Sequence, residues 1–306
     1  MRIALLCNDR IALPALDYLL STGELVAAGM PVRLSETQLV VRERCRSEHI
    51  PFRTFARKDL EAALHEWLQQ CRPDVVLVKT FPWLIPAEIL RLPRHGFINF
   101  HYAPLPAWRG SNPLFWMLRN RASIAGVTVH EMTPAYDEGP ILLQHCIPIG
   151  RNINFGILYT QLAYVGVQLT AQLLTGLHNG TLERKEQDAS NAAWYGHPQP
   201  ADLYINWQTM DAEEINALVK ACNPWNKGAA ARWKNWTFGI TYASVLEDVS
   251  QNVAPGTILS IDSAAGLTIA CKDGKALVAE VVYCEEGFYP GYCLSAFGLK
   301  QQDRLS

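Results

Sequence analysis

Short apolar runs alternate with helically spaced segments through the first 150 residues, and this alternation is the strongest constraint on the fold. Residues 2–7, 25–30, 74–79 and 97–101 are apolar or β-branched runs that predict buried strands. Residues 60–71 place leucine, tryptophan and cysteine on one helix face. Strands that alternate with helices predict a Rossmann-like α/β fold with a parallel sheet, whose ligands bind beyond the carboxyl ends of the strands.

The pattern changes after about residue 180. A polar, turn-rich stretch over residues 181–205 predicts a linker, and Asp211 followed three residues later by Glu214 predicts the start of a helix. Short strands with turn signals follow, which indicates a small antiparallel β unit. We therefore expect a larger domain over residues 1–180, a linker over 181–205 and a smaller antiparallel β domain over 206–306.

Composition excludes several classes of protein. The chain has 306 residues, of which 49% are hydrophobic, and a formal net charge of −2. No basic run has the density of a nucleic-acid-binding arm, and no stretch approaches the roughly 18 apolar residues of a membrane span. The eight cysteines form no CxxC pair, which indicates free thiols rather than a disulfide framework or a zinc site. The N-terminal apolar run is too short for a signal peptide, so we expect a cytoplasmic protein without a membrane partner.

Polar side chains stand where predicted strands end. Asn99 and His101 are two residues apart, so they point to the same face of their strand, and Pro104 and Pro106 end that strand directly afterwards. Asp137 lies in the turn "YDEGP" between two further predicted strands. Taken singly, each of these residues is typical of ordinary structural positions. The first strand–helix turn, "CNDRIALP", lacks the glycines of a dinucleotide site, which excludes NAD(P) and FAD there.

The stretch "INFHYAPLPAWRGSNPLFW", with "GVTVHEM" and "YDEGPIL" downstream, resembles the active-site core of the N10-formyltetrahydrofolate-dependent formyltransferases. Members of that family combine an N-x-H, an LP..RG and a D-x-G loop that follows a GVT strand. The resemblance extends to "RIALLCNDRIALPALDYLL" at the start and to "PGTILSID" and "LTIACKDG" near the end. These segments are similar to the methionyl-tRNA formyltransferase branch, which implies that the C-terminal β domain is OB-like.

The resemblance also implies roles for individual residues. Asn99 would donate to the oxyanion that forms when an amine attacks the formyl group, protonated His101 would add a positive charge, and Asp137 would hold His101 and help move the proton. The co-substrate N10-formyltetrahydrofolate would contact Phe81, Trp83, Leu84, Ile85, Thr133, Ala135 and Tyr136. The acceptor would lie near Tyr102, Ala103, Arg109 and Gly110. No metal is expected.

The identity of the acceptor amine is less constrained. Many family members carry serine where this chain has Ala103, and Arg109 is open to two interpretations, pairing with an anionic acceptor or anchoring its loop. His130 is interpreted as a packed, hydrogen-bonded residue. The basic insertion of the tRNA branch is missing after the second strand, and the net charge gives little sign of a tRNA-binding surface. We therefore expect a small-molecule amine, an amino sugar first, with initiator methionyl-tRNA as the alternative.

Two other functions stay open at this point. The same three residues would serve a hydrolase that releases formate from the folate, with water in place of the amine. A folate-binding scaffold without activity is the other, although the retention of all three polar residues argues against it. The C-terminal Trp225, Trp233 and Trp236 fit base stacking or, more simply, core or interface packing, and a homodimer is left open.

Overall fold

The apolar runs of the N-terminal half form a seven-stranded sheet in the computed structural model, which describes residues 1–247, 249 and 253–306. The strands of this half are β1 (Ile3–Cys7), β2 (Leu25–Pro31), β3 (Phe52–Phe55), β4 (Val75–Lys79), β5 (Phe97–His101), β6 (Arg109–Gly110), β7 (Ile124–Glu131), β8 (Ile141–Pro148) and β9 (Trp194–Tyr195). The helices are α1 (Leu13–Thr22), α2 (Glu36–Ser47), α3 (Leu60–Cys71), α4 (Ala87–Leu90), α5 (Pro113–Arg119) and α6 (Phe155–Asn179).

The strand order is β3-β2-β1-β4-β5-β7-β8, and the first five strands are parallel. The predicted Rossmann-like parallel sheet is therefore confirmed, with β7 and β8 added to it as antiparallel strands. The apolar face of α3, which includes Leu64 and Trp67, packs in one core cluster with Leu6 and Val78 of the sheet. This packing fixes the strands whose carboxyl ends carry the polar side chains.

By its contacts the chain divides into two units. Unit 1 comprises Met1–Pro113, Ile124–Pro148 and Tyr159–Tyr195, and unit 2 comprises Leu114–Ser123, Ile149–Leu158 and Gly196–Ser306. Unit 1 thus includes part of the stretch predicted to be a linker. There, Lys185 pairs with Ile141 at the start of β8, and β9 pairs in parallel with β6. Polar side chains of this stretch bond to other parts of the same unit, as Arg184 does to Glu131 of β7.

Unit 2 contains an antiparallel sheet and the helix α7 (Ala212–Cys222). Its strands are β10 (Ala229–Trp233), β11 (Trp236–Leu246), β12 (Ile258–Asp262), β13 (Gly266–Ala270), β14 (Ala276–Cys284) and β15 (Gly287–Pro290). They are ordered β10-β11-β14-β13-β12, and β15 pairs with β14. The predicted helix start is confirmed, because Asp211 and Glu214 form a reciprocal capping box. Among the described residues, no helix is long and apolar enough to cross a membrane.

Candidate active site

The side chains of Asn99, His101 and Asp137 converge at the carboxyl end of β5. Asn99 Nδ2 and His101 Nδ1 each lie 3.5 Å from Asp137 Oδ1. Alternation along β5 places Asn99 and His101 on one face, as the sequence indicates. His101 is 6% exposed, and Asn99 and Asp137 are half-buried. The carboxylate is therefore shared by an amide and an imidazole in a site largely shielded from water.

A fourth polar side chain, His130, completes this cluster. It lies on β7 directly opposite Asn99, and its Nε2 is 3.1 Å from Asn99 Nδ2 and 3.6 Å from Asp137 Oδ1. Its Nδ1 lies 2.8 Å from the carbonyl oxygen of Glu131, which places the ring proton on Nδ1. Nε2 is then placed to accept from the Asn99 amide. His130 is buried and hydrogen-bonded, and its partners belong to the predicted catalytic residues.

The ring of His101 is fixed by the backbone of the loop that follows β5. Its Nε2 donates to the carbonyl oxygen of Trp108 at 2.6 Å, so Nδ1 is the nitrogen that faces Asp137. Burial lowers the pKa of His101, although the charge of Asp137 and the Trp108 carbonyl oppose this effect. Burial thus favours the neutral ring, whereas the carboxylate beside Nδ1 favours the protonated ring.

Asp137 is the charged member of the cluster. Burial alone would raise its pKa, but the neighbouring His101 and His130 and the backbone N–H of Gly110 outweigh burial and hold the pKa at about 2. The Gly110 N–H donates to Asp137 Oδ2 at 2.9 Å. Asp137 has a left-handed backbone with φ of 54°, a conformation that Asp and Asn adopt more readily than most residues. Gly139 follows because any Cβ there would collide with the carbonyl oxygen of Glu131.

Arg109 anchors its loop through its side chain. Its Nη1 donates to Glu138 Oε1 at 3.0 Å, and its Nε and Nη2 both donate to Gln187 Oε1, at 3.2 and 2.9 Å. The side chain is only 6% exposed. Of the two interpretations of Arg109, these contacts favour anchoring. Gly110 is required beside it, because a Cβ would collide with the carbonyl oxygen of Tyr195 in the paired strand β9.

The other predicted acceptor contacts lie deeper in unit 1. Ala103 is fully buried, and its carbonyl oxygen accepts from Thr128 Oγ1 at 2.7 Å. Tyr102 is 4% exposed, and its hydroxyl has no hydrogen-bond partner in the described part of the chain. A methyl group built on Gly166 of α6 would lie 3.4 Å from that hydroxyl and 3.8 Å from Nζ of Lys79. The structure therefore places Tyr102 beside α6 and does not bring its hydroxyl to the cluster of Asn99, His101 and Asp137.

The residues predicted to contact the folate are divided by exposure. Phe81 and Trp83 are half-buried and pack edge to face with ring centroids 5.4 Å apart, and Ile85 is 2% exposed. A groove of about 1020 Å³ runs past this segment, and Trp83, Leu84 and Tyr136 line it together with residues of α3 and α4. Thr133 donates to the carbonyl oxygen of Ala135 within the following loop. The groove thus places the Trp83 ring in one cavity with Tyr136, the residue before Asp137, which suits a flat heterocycle.

Two features of the site are not predicted from the sequence: the contacts of Gln187 and the position of His130 opposite Asn99. The partnership of His130 with Asn99 follows from strand register, which alternation in a single strand does not reveal. Gln187 lies in the stretch predicted to be a linker, and no motif distinguishes it from its polar neighbours. Its Nε2 donates to the carbonyl oxygens of Asp137 and Gly139, at 2.8 Å each.

The cluster combines an amide donor, an imidazole and a carboxylate at the carboxyl edge of a Rossmann-like sheet, an arrangement suited to moving a proton and stabilising an oxyanion. Residues 1–174 match the family described as formyl transferase, and residues 199–285 match the family described as formyl transferase, C-terminal domain. The chain belongs to the formyl transferase family. The predicted enzyme class, a formyltransferase, is confirmed.

Individual relatives fall into two groups. The methionyl-tRNA formyltransferase of Aromatoleum aromaticum is 35% identical over 214 residues, which cover 70% of this chain and 66% of that protein. The methionyl-tRNA formyltransferase of Citrifermentans bemidjiense is 28% identical over 92% of this chain and 88% of that protein. Among solved structures, an N-formyltransferase from Helicobacter canadensis in complex with folinic acid and dTDP-3-aminofucose has a TM-score of 0.70, at 18% identity. That match covers 91% of this chain and 98% of that one.

Proposed function

We propose that this chain transfers a formyl group from N10-formyltetrahydrofolate to the primary amine of a small molecule, and that the acceptor is a nucleotide-linked amino sugar. The observation that carries the proposal is the convergence of Asn99, His101 and Asp137 within 3.5 Å contacts at the end of β5. Membership of the formyl transferase family indicates the class of reaction. The net charge and the short connection after β2 favour a small molecule as the acceptor.

The cluster suits the two requirements of formyl transfer. Negative charge develops on the formyl oxygen when the amine attacks, and a fixed donor at that oxygen stabilises it. Asn99 provides the donor: one N–H of its amide is taken by His130 Nε2, and the other, which lies a long 3.5 Å from Asp137 Oδ1, turns to the oxyanion. The attacking amine must also lose a proton. Nδ1 of neutral His101 accepts that proton, and ionised Asp137, 3.5 Å away, stabilises the resulting imidazolium. The imidazolium then gives the proton to N10 of the folate as the bond between N10 and the formyl carbon breaks.

Several features support a small acceptor. The connection between β2 and α2 comprises only residues 32–35 and carries a single cation, Arg33. The net charge of −2 adds no general attraction for a polyanion. Arg109 is occupied by Glu138 and Gln187. Methionyl-tRNA is the second candidate, because the 35% identical relative is a methionyl-tRNA formyltransferase.

The test is incubation of the protein with N10-formyltetrahydrofolate and a panel of amines, followed by mass spectrometry. The panel contains dTDP-3-aminofucose, other nucleotide-linked amino sugars and charged initiator tRNA. We expect the mass of one formyl group to be gained by an amino sugar. Formylation of the tRNA alone would replace the proposed acceptor with the second candidate. Formate release at the same rate with and without amine would instead identify a hydrolase.

Variants of the cluster separate catalysis from binding. Asn99→Ala removes the oxyanion donor and should lower turnover by about 10²–10³-fold, and Asp137→Ala should lower it at least as much. Both variants should still bind the folate. Asn191→Ala is the matched control, because Asn191 is an exposed asparagine of unit 1 that bonds only to Asp188 among the described residues. Turnover near the wild-type rate in Asn99→Ala would refute the role of Asn99.

A further inference from the structure

Gln187 connects the D-x-G loop to the arginine of the following motif. Its side-chain amide makes four hydrogen bonds, two donated to the carbonyl oxygens of Asp137 and Gly139 and two accepted from Arg109. Both N–H groups and both lone pairs of the amide are therefore used. No other described side chain bonds to the backbone on both sides of Glu138.

The backbone that Gln187 holds is one that needs support. Asp137 has φ of 54°, a conformation that costs free energy for a residue other than glycine and persists only where its surroundings hold it. The carboxylate of Asp137 must face the Gly110 N–H and His101 at the same time. Both contacts therefore depend on where the loop backbone holds the Asp137 side chain.

The segment that carries Gln187 is itself fixed at both ends. Lys185 and Ile141 exchange two backbone hydrogen bonds at 2.8 and 2.9 Å. Arg109 donates its backbone N–H to the carbonyl oxygen of Ala193 at 2.9 Å. The backbone is thus hydrogen-bonded to other strands both before and after Gln187. We call this segment the brace, because a rigid backbone can hold the Gln187 side chain in one position.

We propose that Gln187 is a positioning residue that acts through Asp137, by holding the backbone of the D-x-G loop so that the carboxylate faces His101. The expected effect on turnover rests on the proposed function. Gln187 does not touch the reacting atoms, so its loss should lower turnover and leave folate binding unchanged.

The first experiment is Gln187→Met, which keeps the length of the side chain and removes all four hydrogen bonds. We expect kcat to fall by about 10- to 100-fold, the cost of a misplaced catalytic group, with KM for N10-formyltetrahydrofolate within about twofold of wild type. Gln38→Met is the matched control, because Gln38 donates to a single carbonyl oxygen, that of Pro31, in the same unit. An unchanged kcat in Gln187→Met would overturn the proposal.

A double-mutant cycle distinguishes action through Asp137 from a general structural role. In an Asp137→Asn background, adding Gln187→Met should change kcat by less than about twofold, because the group it positions is already inactive. A full multiplicative loss in that background would overturn the proposal.

Hydrogen exchange gives a readout that does not depend on activity. The Gly110 N–H is protected by Asp137 Oδ2, so Gln187→Met should accelerate its exchange in peptides that cover residue 110. If exchange is faster in Gln187→Met but the wild-type protein formylates no amine, the proposed function is refuted and the positioning role of Gln187 is supported. Unchanged exchange would overturn the brace, whatever the activity.

Discussion

Lys79 is the clearest departure from ordinary packing in unit 1, and replacing it with methionine should stabilise the protein. The side chain at the end of β4 is fully buried, and Nζ lies 3.1 Å from the centroid of the Phe100 ring. Nζ has no hydrogen-bond partner in the described part of the chain. Burial lowers the pKa of Lys79 well below its ordinary 10.5, although Cys7 opposes this effect. Methionine fills a similar volume without the amine.

The size of the effect depends on pH in a defined way. In the unfolded chain Lys79 is protonated below pH 10.5, whereas in the folded protein the buried amine is neutral down to a much lower pH. The unfolded state therefore binds more protons, and the wild-type free energy of unfolding rises with pH by about 1.4 kcal/mol per unit from this group. Between the folded and the unfolded pKa, this cost grows by about 1.4 kcal/mol for each unit that the pH lies below 10.5. An unpartnered buried polar group adds about 1–3 kcal/mol.

Urea denaturation of the whole protein at pH 8.5 and 9.5 measures this effect. Lys79→Met should be more stable than wild type at both pH values, and the advantage should shrink by about 1.4 kcal/mol between them. Burial raises the pKa of Cys7 to about 12, so this thiol stays protonated in both folded proteins and does not contribute to the difference. Lys58→Met, at an exposed lysine of the same unit, should show no such pH-dependent difference. A pH-independent advantage, or a less stable Lys79→Met protein, would refute the reasoning.

Two further changes test the site from other directions. The pKa of Asp137 is held at about 2 against an ordinary 3.8, which contributes about 2 kcal/mol of stability above pH 4, and this stability is lost as the pH falls through 2. Urea titrations of Asp137→Asn from pH 5 to 2.5 should lack this loss. Parallel pH curves for the variant and the wild type would contradict the expectation. Gly110→Ala should cost about 2–4 kcal/mol and most of the turnover, because its Cβ collides with the Tyr195 carbonyl. Gly180→Ala, also at a positive φ but in open space, should cost about 1 kcal/mol, and equal losses in the two variants would exclude the collision as the cause.

The sequence predicts those parts of the site that local geometry determines. Alternation alone places Asn99 and His101 on one face, and the turn residues around Asp137 locate it between two strands. The partners across the sheet escape such reasoning. His130 meets Asn99 through an antiparallel register, although the two residues are 31 positions apart in the chain. Gln187 meets Asp137 across 50 positions, from a stretch whose composition is typical of loops. Strand β3 was missed because "FRTF" is too short and too polar to stand out.

The pairing of Asn99 with His130 has a consequence for how this scaffold diversifies. The two residues lie on the neighbouring strands β5 and β7, where inserting a single residue would turn either side chain to the opposite face of the sheet. The connections, such as the four residues between β2 and α2, carry no such restriction. Residues of these connections can therefore be inserted or exchanged without turning Asn99 or His130 away from each other.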